Sequence, residues 1–138
     1  MSTLVVLGAG AWGTALAAVL ASRHQVVLWA RDPAQAKAIA AARRNARYLS
    51  EIELPSALAV TADFPAAVSG AQLILVATPV AGLRDVLKKI PHTPFVWLCK
   101  GFEQESGALP HEIAAAAGIR APCGALSGPS FALEVARG

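Results

Sequence analysis

Glycines at positions 8, 10 and 13 follow an apolar run, Leu4-Val5-Val6-Leu7, and precede a stretch of small residues from Thr14 to Ala18. The spacing G-x-G-x-x-G between a strand-like and a helix-like segment makes a backbone that can cradle a dinucleotide pyrophosphate. Each glycine has a separate task in such a turn. Gly8 permits the tight bend, Gly10 lets the backbone approach the phosphates, and Gly13 lets the helix pack close to the strand. The free N–H groups and the dipole of the helix start would face the anion. Ala11 and Trp12 stand at that start. Trp12 reads either as a cover over the bound molecule or as a hydrophobic staple at the helix entrance.

Other residues able to do chemistry also follow apolar runs. After Val26 to Trp29 comes Ala30-Arg31-Asp32, with Arg31 18 residues beyond Gly13. An acidic residue at this place would hold ribose hydroxyls, whereas an arginine accommodates the 2′-phosphate of NADP. Asp32 is taken up by a helix cap, so the sequence leans toward NADPH; the alternative for Arg31 is a solvated surface side chain. Thr78-Pro79 halts a later strand and frees backbone groups to line the nicotinamide half of a crevice. Lys100, at the end of the run Phe95 to Cys99, must bring its ammonium to solvent or to an anion. In a cleft it would neutralise a substrate phosphate or polarise a carbonyl; otherwise it snorkels at the rim. Ser127-Gly128-Pro129-Ser130 precedes the last helix and is a second anion-receptive helix start, or a plain capping turn.

These residues need a scaffold that brings strand ends together. Strands are expected at 4–7, 26–29, 58–61, 72–77, 95–99 and 124–126, alternating with helices at 11–22, 33–44, 64–68, 80–89, 108–117 and from about 130. Asp32 followed by Pro33 is a strong helix start, and Asp63 caps a shorter one. Residues 45 to 55 read as an irregular polar stretch. Strict alternation of strand and helix predicts an α/β fold, a Rossmann-type doubly wound parallel sheet with helices on both faces. The expected strand order is 3-2-1-4-5-6, with the ligand outside the carboxyl ends near the switch point.

Composition agrees and excludes other classes. Of 138 residues, 55% are hydrophobic and 15% charged, which rules out disorder and suits a sheet covered on both faces, with some apolar surface left for a partner. No apolar run reaches the length of a membrane span. The N-terminus enters a strand directly, without a charged region or cleavage site, so no export signal and a cytoplasmic location are expected. The net charge of +3 is mild, and its one dense segment, Arg43, Arg44 and Arg47, is too narrow for a nucleic-acid face. Cys99 and Cys123 fall toward opposite ends of neighbouring strands that rise about 3.3 Å per residue. That separation exceeds the roughly 7 Å Cα limit for a disulfide, so free thiols are expected, and without His ligands at metal spacing no zinc site is.

Taken together, Gly8 to Ala17, Leu28 to Asp32, Asn45 to Leu49, Cys99 to Glu103 and Leu126 to Ala132 resemble bacterial NAD(P)-dependent glycerol-3-phosphate dehydrogenases. The matches run in the family's order over nearly the whole chain. Lys-Gly-Phe-Glu (100–103) and Ser-Gly-Pro-Ser-Phe-Ala (127–132) are the most specific. The resemblance implies that Trp12, Arg31, Lys100 and Ala132 contact the cofactor, with the glycine loop, including Ala11, under its pyrophosphate. Tyr48 would border the cofactor side and Pro79 its nicotinamide half. Lys100, Gly128 and Ser130 would contact glycerol 3-phosphate or dihydroxyacetone phosphate. Two departures stand out: Ser50 where the family usually has Pro, and Ala11 where it commonly has Ser.

The resemblance also implies a hydride transfer between NAD(P)H and dihydroxyacetone phosphate, in the service of phospholipid precursor synthesis. The family continues into an all-helical domain carrying the general acid/base lysine, whereas this chain stops at Gly138. Residues 1–138 are therefore expected to be the dinucleotide-binding domain alone, holding no catalytic residue and inactive by itself; the full enzyme would be a homodimer. Rival readings are the Rossmann half of a ketopantoate or 3-hydroxyacid reductase, against which the Lys-Gly-Phe-Glu segment speaks, and a non-catalytic nucleotide-sensing module.

Overall fold

Runs such as Leu4-Val5-Val6-Leu7 have no polar face, so a strand built from them must be covered on both sides. The structure, a computed structural model, describes residues 2–127 and 131–138 and shows how that is done. Strands β1 (Thr3–Leu7), β2 (Gln25–Trp29), β3 (Ala59–Thr61), β4 (Leu73–Val76), β5 (Phe95–Trp97) and β6 (Cys123–Ala125) form one sheet in the order β3-β2-β1-β4-β5-β6. Every adjacent pair is parallel. The helices α1 (Ala11–Leu20), α2 (Pro33–Ala42), α3 (Phe64–Val68), α4 (Val80–Lys89), α5 (Pro110–Ala116) and α6 (Ala132–Arg137) alternate with the strands. The fold is thus the expected Rossmann-type doubly wound sheet.

Period-two alternation divides the strand side chains between two cores. Val5, Leu7, Ile74 and Val76 pack with Leu83, Val86 and Leu87 of α4 and Ile113 of α5. Leu4, Val6, Val26 and Leu28 pack on the other face with Ala17 and Ala18 of α1 and Ile39 of α2. The small residues of α1 let it approach the sheet closely, and α6 packs against it. Leu7 is in register with Trp29 on one side and Val76 on the other. The carboxyl ends of β1, β2 and β4 therefore finish level, which places the loops that follow them around one crevice.

Local chemistry sets the helix ends. Asp32 accepts a hydrogen bond from the Ala34 N–H at 2.9 Å with Pro33 as the first helical residue, and Asp63 accepts from Ala66 N–H at 3.1 Å. Such caps contribute about 1 kcal/mol each. Helix α2 ends at Ala42 rather than continuing to residue 44. Arg43 adopts a left-handed conformation, φ 54°, costing roughly 1 kcal/mol for a residue with a side chain. Its guanidinium compensates by donating to the carbonyls of Leu58, at 2.8 Å, and Pro55, folding the chain back on itself. Residues 45 to 55 are irregular, as expected, but anchored by an Asn45–Leu49 antiparallel bridge and by buried Leu49 and Leu54.

Strand β5 stops at Trp97 instead of residue 99. One further ladder bond follows, from Leu98 N–H to the Val76 carbonyl at 2.9 Å, before the chain leaves the sheet. Strand β6 is shifted one residue toward the N-terminus of its expected span. Cys123 pairs in register with Phe95, so Cys99 lies beyond the far end of the pair, and both thiols are free. No helix among the described residues is long and apolar enough to cross a membrane.

Candidate dinucleotide site

The glycine turn joins β1 to α1 at the point where β1 is flanked by β2 and β4. Its packing explains two of the three glycines. Gly8 has φ +117°, and a Cβ there would stand 2.8 Å from the Ala77 carbonyl carbon and oxygen. A Cβ on Gly13 would stand 2.0 Å from the Gly8 carbonyl oxygen, so α1 can pack this close only with hydrogen at that position. Gly10 differs: a Cβ there would meet no atom within 4 Å. The space in front of Gly10 is open, as the approach of a phosphate group requires. Gly10 is also the N-cap of α1, and the first turn of the helix carries no acidic residue, so its positive end is not neutralised from within.

In front of the turn lies a crevice of about 1290 Å³, large enough for a dinucleotide. Gly8, Gly10 and Trp12 line it from the turn, Arg31 from the end of β2 and Tyr48 from the irregular stretch. Pro79 and Lys100 line it from the ends of β4 and β5. Seven predicted residues, distant in sequence, thus meet on one surface. Trp12 occupies the second helical position behind its Gly10 cap. A hydrophobic staple uses the residue before the cap and the fourth helical residue, so the staple reading is displaced and the indole belongs to the crevice wall. Arg47 stacks over the Tyr48 ring, 5.0 Å from its centroid, and Arg31 is exposed.

Three predicted residues stand outside the lining. Gly13 is buried beneath the turn and supports it. Ala11 and Ala132 occupy the first positions of α1 and α6 and present only methyl groups. Gly128 and Ser130 lie outside the described residues.

Several site residues carry no motif and are visible only in the fold. Gln35 of α2 lines the crevice and donates from Nε2 to the Ala9 carbonyl at 3.1 Å. Asn45, buried, donates from Nδ2 to the same carbonyl at 2.8 Å and to Thr14 Oγ1 at 2.9 Å. The Trp29 indole donates to the Ala62 carbonyl at 3.1 Å and meets Phe64 edge-on, with centroids 5.1 Å apart, making an aromatic wall beside Arg31. Thr78 lines the opposite side, and its hydroxyl oxygen is a buried polar atom without a hydrogen-bond partner among the described residues.

Beyond Lys100 the loop is held by an ion pair. Arg84 of α4 donates from Nε and Nη2 to the two carboxylate oxygens of Glu103, each at 3.0 Å, and Ser106 Oγ donates to Glu103 Oε1 at 2.6 Å. These hydrogen bonds hold the Glu103 carboxyl below the usual carboxylate range and the Arg84 guanidinium above its own. Burial pushes the Cys99 thiol up, so this lining group is a neutral thiol at physiological pH.

A doubly wound parallel sheet with a glycine-lined crevice at its switch point defines a Rossmann-type domain, the architecture on which dinucleotide sites are built. Residues 3–138 match the family model for the N-terminus of NAD-dependent glycerol-3-phosphate dehydrogenase, and the chain belongs to that family. It is 53% identical over 148 residues to glycerol-3-phosphate dehydrogenase [NAD(P)+] of Leptothrix cholodnii, which covers 97% of this chain and 44% of the relative. It is 55% identical over 141 residues to the Methylibium petroleiphilum enzyme of the same name, covering 98% and 42%. The crystal structure of glycerol-3-phosphate dehydrogenase from Coxiella burnetii superposes with a TM-score of 0.90 at 34% identity, covering 99% of this chain and 43% of that one. The chain therefore spans less than half the length of these relatives and corresponds to their N-terminal part.

Proposed function

We propose that this chain is the dinucleotide-binding half of an enzyme that transfers a hydride between NAD(P)H and the C2 carbonyl of dihydroxyacetone phosphate, giving sn-glycerol 3-phosphate. The observation that carries the reading is the convergence of the open glycine turn, Arg31 and Lys100 on one crevice. The open space at Gly10 and the unpartnered Thr78 hydroxyl fit a polar ligand there. The dinucleotide, when bound, supplies the hydride. The chain's own residues orient it. Gly10 and the start of α1, with Ala11, take the pyrophosphate, and Trp12 and Tyr48 cover it. Arg31 binds the 2′-phosphate, which favours NADPH over NADH, and Pro79 and Ala132 border the nicotinamide half. Lys100, with Gly128 and Ser130, holds the phosphorylated substrate or the charge on its oxygen.

The general acid/base belongs to the helical portion that follows in the family. The reading carries with it a cytoplasmic homodimer of the whole enzyme. Assaying the full-length parent with NADPH against dihydroxyacetone phosphate and ketopantoate tests it. Turnover confined to dihydroxyacetone phosphate is expected; turnover of ketopantoate, or of neither, contradicts the reading.

A further inference from the structure

The glycine that opens the turn to an anion also loosens it. With no side chain at position 10, the Ala9–Gly10 peptide can rotate between two orientations at little steric cost. In a trans peptide the carbonyl of one residue and the N–H of the next point in opposite directions. One orientation therefore sends the Gly10 N–H one way and the Ala9 oxygen the other, and a flip exchanges them. A phosphate in the crevice is attracted by the first arrangement and repelled by the second.

Two side-chain amides select between these orientations. Asn45 Nδ2 donates to the Ala9 carbonyl at 2.8 Å and Gln35 Nε2 donates to it at 3.1 Å. The carbonyl's two lone pairs are thus both engaged, and the doubly bonded oxygen polarises its peptide, strengthening the Gly10 N–H as a donor. Asn45 is the firmer of the two holds. It is 1% exposed, and the same amide nitrogen is tied to Thr14 Oγ1 of α1 at 2.9 Å. Its main-chain carbonyl accepts from Leu49 N–H at 2.8 Å and from Tyr48 N–H at 3.3 Å, which shapes the turn that brings Tyr48 to the crevice. An asparagine buried this deeply serves the glycine turn rather than its own loop alone.

We infer that Asn45, assisted by Gln35, is a positioning residue for dinucleotide binding: it locks the Ala9–Gly10 peptide with the Gly10 N–H aimed at the pyrophosphate. The inference rests on the dinucleotide reading above. It is tested with the 138-residue chain by titrating NADPH and, separately, 2′-AMP, which lacks the pyrophosphate, into wild type, Asn45→Asp, Asn45→Leu and Gln35→Met. Circular dichroism and melting curves report folding. Asn45→Asp and Asn45→Leu both remove the donors, and only the first adds charge, so a shared effect belongs to the lost hydrogen bonds.

Both Asn45 variants are expected to bind NADPH about tenfold more weakly or worse, with 2′-AMP affinity held within about twofold. Gln35→Met, on the more exposed α2, is expected to lose about threefold for NADPH alone and decides the matter if the Asn45 variants do not fold. Unchanged NADPH affinity in folded variants, or equal losses for NADPH and 2′-AMP, overturns the inference while leaving the dinucleotide reading intact. A wild-type chain that binds neither NADPH nor NADH overturns both.

Discussion

Gly10 and Gly13 share a motif but are required for opposite reasons, and substitution separates them. A methyl group at 13 would collide with the Gly8 carbonyl oxygen at 2.0 Å, a backbone atom that cannot move without undoing the turn. Gly13→Ala is therefore expected to destabilise the fold by about 3 kcal/mol, the upper end of ordinary overpacking, as read by chemical denaturation. Gly10→Ala meets no neighbour and keeps an ordinary backbone conformation, φ −78°. It is expected to cost under about 1 kcal/mol, as for a capping position, while weakening NADPH binding at least tenfold. Equal stability losses would contradict this division. At Arg31, replacement by Ala removes a charge-assisted partner for the 2′-phosphate. The expected loss is about tenfold or more for NADPH, with little change for NADH; equal losses in parallel titrations would place Arg31 elsewhere than at the 2′-phosphate.

At the scale of elements, the loop from Lys100 to Leu109 depends on how it is tied to α4. Glu103 is its anchor, receiving two bonds from Arg84 and one from Ser106 that depress its pKa. A carboxyl whose folded pKa lies below its unfolded value stabilises the fold fully above the unfolded value, about 4.3 for Glu. That contribution is lost as pH falls through the folded pKa. Amide exchange in residues 101–108, corrected for the intrinsic effect of pH, should show constant protection from neutral pH to about pH 5 and a decline below it. In Glu103→Gln the loop should be less protected already at neutral pH and lack the acid step. An acid step of the same size in the variant would assign it to another group.

The element boundaries also show what a sequence can disclose. Helix starts at Pro33 and Phe64 were legible because Asp32 and Asp63 act within one turn of themselves. The end of α2 was not, because Arg43 reaches carbonyls 12 and 15 residues away. The early end of β5 is hidden for a similar reason: whether Leu98 and Cys99 continue the strand depends on the neighbours they find.

For the whole molecule, the strand order was legible because unbroken apolar strands alternating with helices leave few right-handed parallel arrangements. The crevice residues that follow strand ends were legible for the same reason, since topology alone gathers them. Asn45 and Gln35 were not. An asparagine in a polar stretch resembles any loop residue until the fold carries it 36 positions back to Ala9. The exposed apolar side chains Leu126 and Phe131 line the crevice, in keeping with the apolar surplus of the composition.

The proposed division of labour predicts that the chain binds NADPH yet does not oxidise it detectably when dihydroxyacetone phosphate is added. Robust turnover followed by NADPH absorbance would refute that division. The central claim, that the crevice is built for a pyridine dinucleotide, is tested most directly by calorimetric titration of NADPH into the 138-residue chain. Saturable binding at one site per chain is predicted. A titration without saturable heat, under conditions where the chain is folded and the instrument detects binding to a known dehydrogenase, would contradict it.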